Sequence, residues 1–88
     1  MDVEFSARAW ADFLYWVGND TKMLKRLARV VEDARRDPFS GIGKPEPLRG
    51  NLSGLWSRRI DREHRLVYAV SDGTLLIHSC RYHYDRNG

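Results

Sequence analysis

Polar and apolar residues alternate along Asp2-Val3-Glu4-Phe5, the period of a short strand with one buried face. From Ser6, a side chain suited to capping a helix, the period changes. Trp10, Phe13, Leu14 and Val17 recur at helical spacing, and Gly18 supplies a C-terminal stop. Asp20 then caps a second helix, in which Met23, Leu24, Leu27, Val30, Val31 and Ala34 form one broad apolar stripe. Arg35 and Arg36 fall in its last turn, where the helix dipole favours cations, and Asp37-Pro38 ends it. So short a link makes the two helices an antiparallel hairpin.

Residues 37–50 hold three prolines and three glycines and no period, so they are expected as a loop, and a loop of that length in a small domain is usually functional or disordered. Three strand-like runs follow. Leu55–Ile60 alternates, with Trp56 and Ile60 on one side and Ser57 and Arg59 on the other. Asp61–His64 turns, and Arg65–Val70 carries Leu66, Tyr68 and Val70 on one face. Asp72-Gly73 is the strongest hairpin signal in the chain, and Leu75–Tyr84 is the last strand. The expected fold is α+β, in the order β-α-α-β-β-β, an antiparallel sheet with a two-helix hairpin packed on one face, spanning residues 1–88 as one domain.

Composition narrows the class. Of 88 residues, 42% are apolar and 31% charged, a globular balance. No apolar run approaches the ~20 residues of a membrane span, and Asp2 with Glu4 spoils a signal-peptide start, so no membrane is expected. Cys80 is the single cysteine; it has no disulfide partner and belongs to no metal-ligand cluster. These features point to the cytoplasm. The net charge is +3, but positive charge gathers in two blocks, residues 21–36 at net +4 and residues 44–65 at net +3, while residues 1–20 carry net −3. Such blocks suit a polyanion surface; for residues 21–36 taken alone a solvated helix face explains them equally well.

Candidate chemistry centres on Glu46, set between Pro45 and Pro47. Each proline ring disfavours the helical region for the residue before it, so Glu46, and likewise Lys44, is expected to be extended. Lys44, Arg49, Arg58 and Arg59 surround this stiffly held acid. His83 lies near the chain end between Tyr82 and Tyr84. A lone histidine is more often structural than catalytic; its company distinguishes it. A carboxylate, an accessible histidine and several arginines are a sufficient set for metal-free RNA cleavage. In that reaction the 2′-hydroxyl attacks the adjacent phosphate, and the enzyme supplies a base, an acid and cations. His64, in a turn, reads as solvated; His78 as a sheet or core residue; Cys80 as a small buried apolar group; Trp10 and Trp16 as helix packing; Trp56 as core. A binding module that grips RNA or DNA without turnover is the other class of reading, and the basic blocks suit it as well.

Alternation creates a conflict. A two-residue turn at Asp72-Gly73 sets Arg65 opposite Cys80, which places Tyr82 and Tyr84 on the Arg65 face and His83 on the other. If Arg65 and His83 serve one site, an irregularity must shift the register or bend the chain after Arg81.

Several blocks in order, Gly43-Lys44-Pro45-Glu46-Pro47-Leu48, Asn51-Leu52-Ser53-Gly54, Trp56-Ser57-Arg58-Arg59-Ile60, Glu63-His64-Arg65-Leu66-Val67-Tyr68 and Cys80-Arg81-Tyr82-His83-Tyr84, closely resemble the YoeB toxins of the RelE-like superfamily. The resemblance implies a microbial-ribonuclease-like fold and a ribosome-dependent mRNA endonuclease that cuts message in the A site. It implies a dimer, neutralisation by a YefM-type antitoxin, contact with operator DNA only as the toxin–antitoxin complex, and no cofactor. By position it makes Glu46 the general base and His83 the general acid, with Arg65 stabilising the transition-state phosphate. It has Tyr84 orient the substrate, and Lys44, Arg49 and Arg59 hold the RNA. Arg49 falls where family members often have lysine, which keeps the charge but changes the donor geometry. The tail Asp85–Gly88 runs past the tyrosine at which family members often stop.

Overall fold

The computed structural model describes residues 1–82. The elements are β1 (Asp2–Phe5), α1 (Ala7–Asn19), α2 (Thr21–Arg36), β2 (Glu46–Pro47), a 3-10 turn at Gly50–Leu52, β3 (Trp56–Arg59), β4 (Arg65–Ser71) and β5 (Thr74–Ser79). The strands form one sheet in the order β1-β5-β4-β3-β2, with the helices on one face, so the α+β class is as expected. Two features escaped the pattern. The sheet is mixed, because the helical hairpin carries the chain across it and leaves β1 parallel to β5. The expected loop also contains β2, a two-residue strand antiparallel to β3. With Pro47 in it, β2 suits the sheet's edge, where a missing N–H costs little.

The helix ends follow from local chemistry. Ser6 caps α1 by accepting the Ala9 N–H at 3.0 Å, and its hydroxyl donates to the His78 carbonyl at 2.9 Å, tying the helix start to β5. Gly18 does not stop α1; it lies inside the helix, which runs to Asn19. Asp20 makes the break instead. Its extended backbone (φ −159°, ψ 95°) lets its N–H donate to the Trp16 carbonyl while its carboxylate accepts the Met23 N–H at 3.0 Å. One residue therefore closes α1 and opens α2, and no left-handed glycine is required. Asp20→Ala is expected to cost about 1 kcal/mol, the usual worth of an N-cap, read from a denaturant midpoint at constant m-value.

Met23, Leu27, Val30 and Ala34 of α2 are buried with Ala9 and Trp16 of α1 against Ile60, Leu66, Tyr68, Leu75, Ile77 and Cys80. The apolar face of α1 is wider than the sheet can cover. Trp16 is buried, but Trp10, Leu14 and Val17 stay 50%, 49% and 49% exposed. Trp10 stacks on Phe13 at 5.3 Å, with Phe5 meeting both rings edge-on. Asp72 and Gly73 both take positive φ (49° and 76°), as the tight turn between β4 and β5 requires. Among the described residues no helix is long and apolar enough to cross a membrane.

Candidate active site

The loop between α2 and β2 is held from inside by Arg58, which has no exposed surface. Strand parity puts Arg58 with Trp56 and Ile60, on the helix side of β3 rather than with the exposed bases around Glu46. Its Nη1 donates to Asp33 Oδ2 at 2.6 Å and to the Ile42 carbonyl at 3.1 Å. Nη2 donates to the carbonyls of Asp37 and Ser40, the latter at 2.9 Å, and Nε donates to Tyr68 Oη at 3.0 Å. The Tyr68 hydroxyl in turn donates to the Pro38 carbonyl at 2.6 Å. One guanidinium thus satisfies three loop carbonyls, the Tyr68 hydroxyl and an acid on α2, and it fixes where the loop meets the sheet. The Ile42 N–H, foremost, and the Arg58 guanidinium hold the Asp33 carboxyl below its ordinary pKa. Burial foremost raises the pKa of the Tyr68 phenol.

Past this anchor the loop touches β3 at Gly43, whose carbonyl accepts the Arg59 N–H at 2.7 Å. A Cβ on Gly43 would stand 2.6 Å from the Arg59 carbonyl oxygen, so only glycine fits. Glu46 then pairs with Ser57. Between these contacts the loop uses three residues where β3 uses two, and the extra length is absorbed by positive φ at Gly43 (80°) and Lys44 (53°). Lys44 is therefore left-handed, not extended: the proline after it excludes the helical region, and the required bend decides between the remaining two. Glu46 is extended, as expected, because it is paired in a strand.

Pairing assembles the site. Glu46 lies opposite Ser57, and Arg59 opposite Arg65, so all four share the sheet face turned away from the helices. Glu46 and Arg59 are exposed; Arg65 is half-buried, its Nη1 donating to the carbonyls of Asp61 (3.2 Å), His64 (3.3 Å) and Arg62 (3.4 Å). Lys44 leads into β2 and Arg49 follows it, both exposed on the flanks. His83 and Tyr84 lie outside the described residues. Up to that point the expected irregularity is present. The pairs Ser71↔Thr74 to Tyr68↔Ile77 keep one register, and Val67↔Ser79 starts another, with the exposed His78 as the extra residue of a β-bulge. The bulge puts Ser79, not Cys80, on the face of Arg65 and Val67, and so reverses the parity that alternation alone assigns to the end of β5. Beyond it the Arg65 N–H donates to the Tyr82 carbonyl at 2.8 Å, and Tyr82 takes φ 63°.

Two residues were misplaced by sequence reasoning. Arg58 is structural, and parity with Trp56 and Ile60 was the available signal. His64 is not solvated: it is 8% exposed, its ring edge-on to Trp16 at 4.7 Å, with Nδ1 accepting the Tyr82 N–H at 2.6 Å. No periodic pattern marks a buried turn histidine. Cys80 is buried as expected, its thiol pushed up to about 12 by burial and then by Asp12. Among the described residues no group of three or more His, Cys, Asp or Glu side chains is placed to hold a metal ion.

A family-wide sequence model described as "YoeB-like toxin of bacterial type II toxin-antitoxin system" matches residues 5–84. Toxin YoeB of Escherichia coli K12 is 56% identical over 84 residues, 96% of this chain and all of that protein. A structure described as a YoeB/ParE toxin from Agrobacterium tumefaciens superposes with a TM-score of 0.91 at 43% identity, over 96% of this chain and 100% of that one. YoeB of Staphylococcus aureus, solved in a complex with YefM and as a dimer, gives TM-scores of 0.87 at 45% and 46% identity, each over 96% of this chain and 98% of that one.

Proposed function

Since the chain belongs to the YoeB-like toxin family of bacterial type II toxin–antitoxin systems, we propose that it is a metal-independent mRNA endonuclease that cuts message in the ribosomal A site and so inhibits translation. The observation that carries this reading is the shared sheet face: strand pairing sets Glu46, Arg59 and Arg65 together, and the Arg65 backbone is bonded to Tyr82, one residue before His83.

In the proposed reaction Glu46 takes the proton of a substrate 2′-hydroxyl, whose oxygen attacks the adjacent phosphorus. The bond from phosphorus to the 5′-oxygen breaks, and His83 protonates the departing oxygen. A 2′,3′-cyclic phosphate and a free 5′-hydroxyl result. Arg65, with Arg59 beside it, faces the charge that grows on the phosphoryl oxygens. Holding Arg65 by three turn carbonyls before substrate arrives lowers the ordering cost of that step. Lys44 and Arg49 flank the cut as phosphate contacts, and Tyr84 orients the leaving-group side. Ribosome dependence fits so small a site: Glu46, Arg59 and Arg65 occupy a few positions of one sheet face, and the ribosome would position the message. Inducing the chain in cells and mapping message 5′ ends by primer extension tests the reading. New ends within codons are expected; arrest of growth without new ends would establish a binder in place of a nuclease.

The proposal extends to partners. A YefM-type antitoxin would neutralise the chain in the cytoplasm, as YefM accompanies the Staphylococcus aureus relative, and operator DNA would be met only by that complex. A second copy would cover the α1 stripe of Trp10, Leu14 and Val17, each about half exposed and spaced along one helix face. Trp10→Ser with Leu14→Ser is expected to weaken the dimer at least thirtyfold, about 2 kcal/mol. Light scattering across a dilution series should then show monomer where the parent is dimeric. An unchanged dissociation constant would move the interface elsewhere.

A further inference from the structure

Residues 80–82 belong to no strand, yet each is bound to a different part of the fold. The Cys80 N–H donates to Asp12 Oδ2 at 3.0 Å, and its carbonyl accepts from Trp16 Nε1 at 2.9 Å. The Arg81 guanidinium lies 3.5 Å from the centroid of the Tyr15 ring and 4.7 Å from that of Tyr82. Tyr82 donates its N–H to His64 Nδ1 at 2.6 Å and accepts the Arg65 N–H at 2.8 Å. At φ 63° a bulky aromatic sits in a sparsely populated region that persists only where its surroundings over-determine it. Two hydrogen bonds, one on each side of the Tyr82 backbone, do so here.

The histidine is suited to this bond in a way that packing alone does not explain. Acceptance at Nδ1 requires the lone pair there, so the ring proton is on Nε2, which faces Glu63 Oε1 at 3.7 Å. The His64 N–H is taken by Asp61 Oδ1 at 2.6 Å, and the His64 carbonyl accepts the Ile60 N–H at 2.9 Å, so the ring projects from a braced turn. Trp16 and Tyr82 close around it at 4.7 and 5.3 Å. The residue after it is Arg65.

We infer that His64 is a positioning residue for the proposed cleavage: by accepting the Tyr82 N–H at Nδ1 it sets the left-handed turn that follows β5 and joins that turn to Arg65. The inference rests on the roles proposed above for Arg65 and His83. A leucine or phenylalanine would fill the volume and stack on Trp16, but only an acceptor at the Nδ1 position directs the Tyr82 backbone. Asparagine carries its amide oxygen at that position; glutamine carries it one atom further out.

Cleavage on purified ribosomes programmed with a defined message, measured for His64→Asn, His64→Gln and His64→Phe, tests this. His64→Phe and His64→Gln should lower kcat by about 30- to 100-fold with KM within twofold, the scale expected when a reacting group is misplaced by about 1 Å. His64→Asn should stay within about threefold of the parent. Equal kcat for Asn and Gln, or parental kcat in Phe, overturns the inference. So does a fall confined to thermal stability, which is all that a packing role predicts. If the Phe variant does not fold, as judged by circular dichroism, the Asn and Gln pair carries the same comparison. Glu46→Gln in the same assay separates the two levels: if it cuts at the parental rate the proposed acid–base site fails, whereas an inactive Glu46→Gln beside a fully active His64→Gln sinks only the role of His64.

Discussion

Replacing Glu46 by glutamine should reduce message cleavage by about 10²- to 10⁴-fold, the range a positioned general base supplies, while leaving the fold intact. The substitution keeps the volume and removes only the capacity to take a proton. Its structural cost should be small. Glu46 is exposed on a two-residue edge strand, and its carboxylate makes no hydrogen bond or ion pair among the described residues. Substitutions at such positions usually change stability by under about 0.5 kcal/mol. Primer extension on ribosome-bound message together with a thermal melt of the same preparation gives the two readouts. A cleavage rate within tenfold of the parent at unchanged melting temperature would remove Glu46 from the chemistry. Equal loss of rate and of stability would make it structural.

The fold was legible where one local rule acted without competition. The period of α2, the cap at Asp20 and the Asp72-Gly73 turn each depend on a few neighbouring residues, and each stands where the pattern put it. Reading failed where a non-local contact overrode the local rule. Lys44 is left-handed because Gly43 must touch β3 one residue out of register with Glu46, a fact about β3 that the loop's own prolines do not contain. β2 was missed because two residues show no period. The bulge at His78 matters most for the site. Strict alternation set Arg65 and His83 on opposite faces, and the need for an irregularity could be stated from the sequence, but not its position. The assignment of base, acid and cations to particular residues came from family resemblance. Pairing independently brings Glu46, Arg59 and Arg65 to one face.

Arg58 carries the second large effect. Counted with the exposed bases, it would be expendable for stability; fully buried, it should be the most costly cation to remove among the described residues. Arg58→Met keeps much of the side-chain volume, leaves the carbonyls of Asp37, Ser40 and Ile42 and the Tyr68 hydroxyl without their donor, and leaves the Asp33 carboxylate with the Ile42 N–H but no cation. Breaking one side of a buried ion pair typically costs about 3–5 kcal/mol; the Asp33 side chain is 28% exposed, so the low end applies, and about 3 kcal/mol lowers the melting midpoint of a domain of this size by roughly 12 °C or more at fixed protein concentration. A loss below about 1 kcal/mol would show that water or a neighbouring group replaces the guanidinium. The partner acid gives a signature in pH. Because the folded Asp33 carboxyl titrates below its ordinary value of 3.8, its contribution is fully present above that value and is lost as pH falls through the lower, folded one. Asp33→Asn should therefore be less stable than the parent at neutral pH, with the gap closing only below about pH 3.8. Removing both partners should cost less than the sum of the single losses, since Arg58→Met in the Asp33→Asn background no longer strands a carboxylate. A strictly additive pair would mean that Arg58 acts through the loop carbonyls alone, and that the approach of Glu46 to β3 is set by those carbonyls and not by α2.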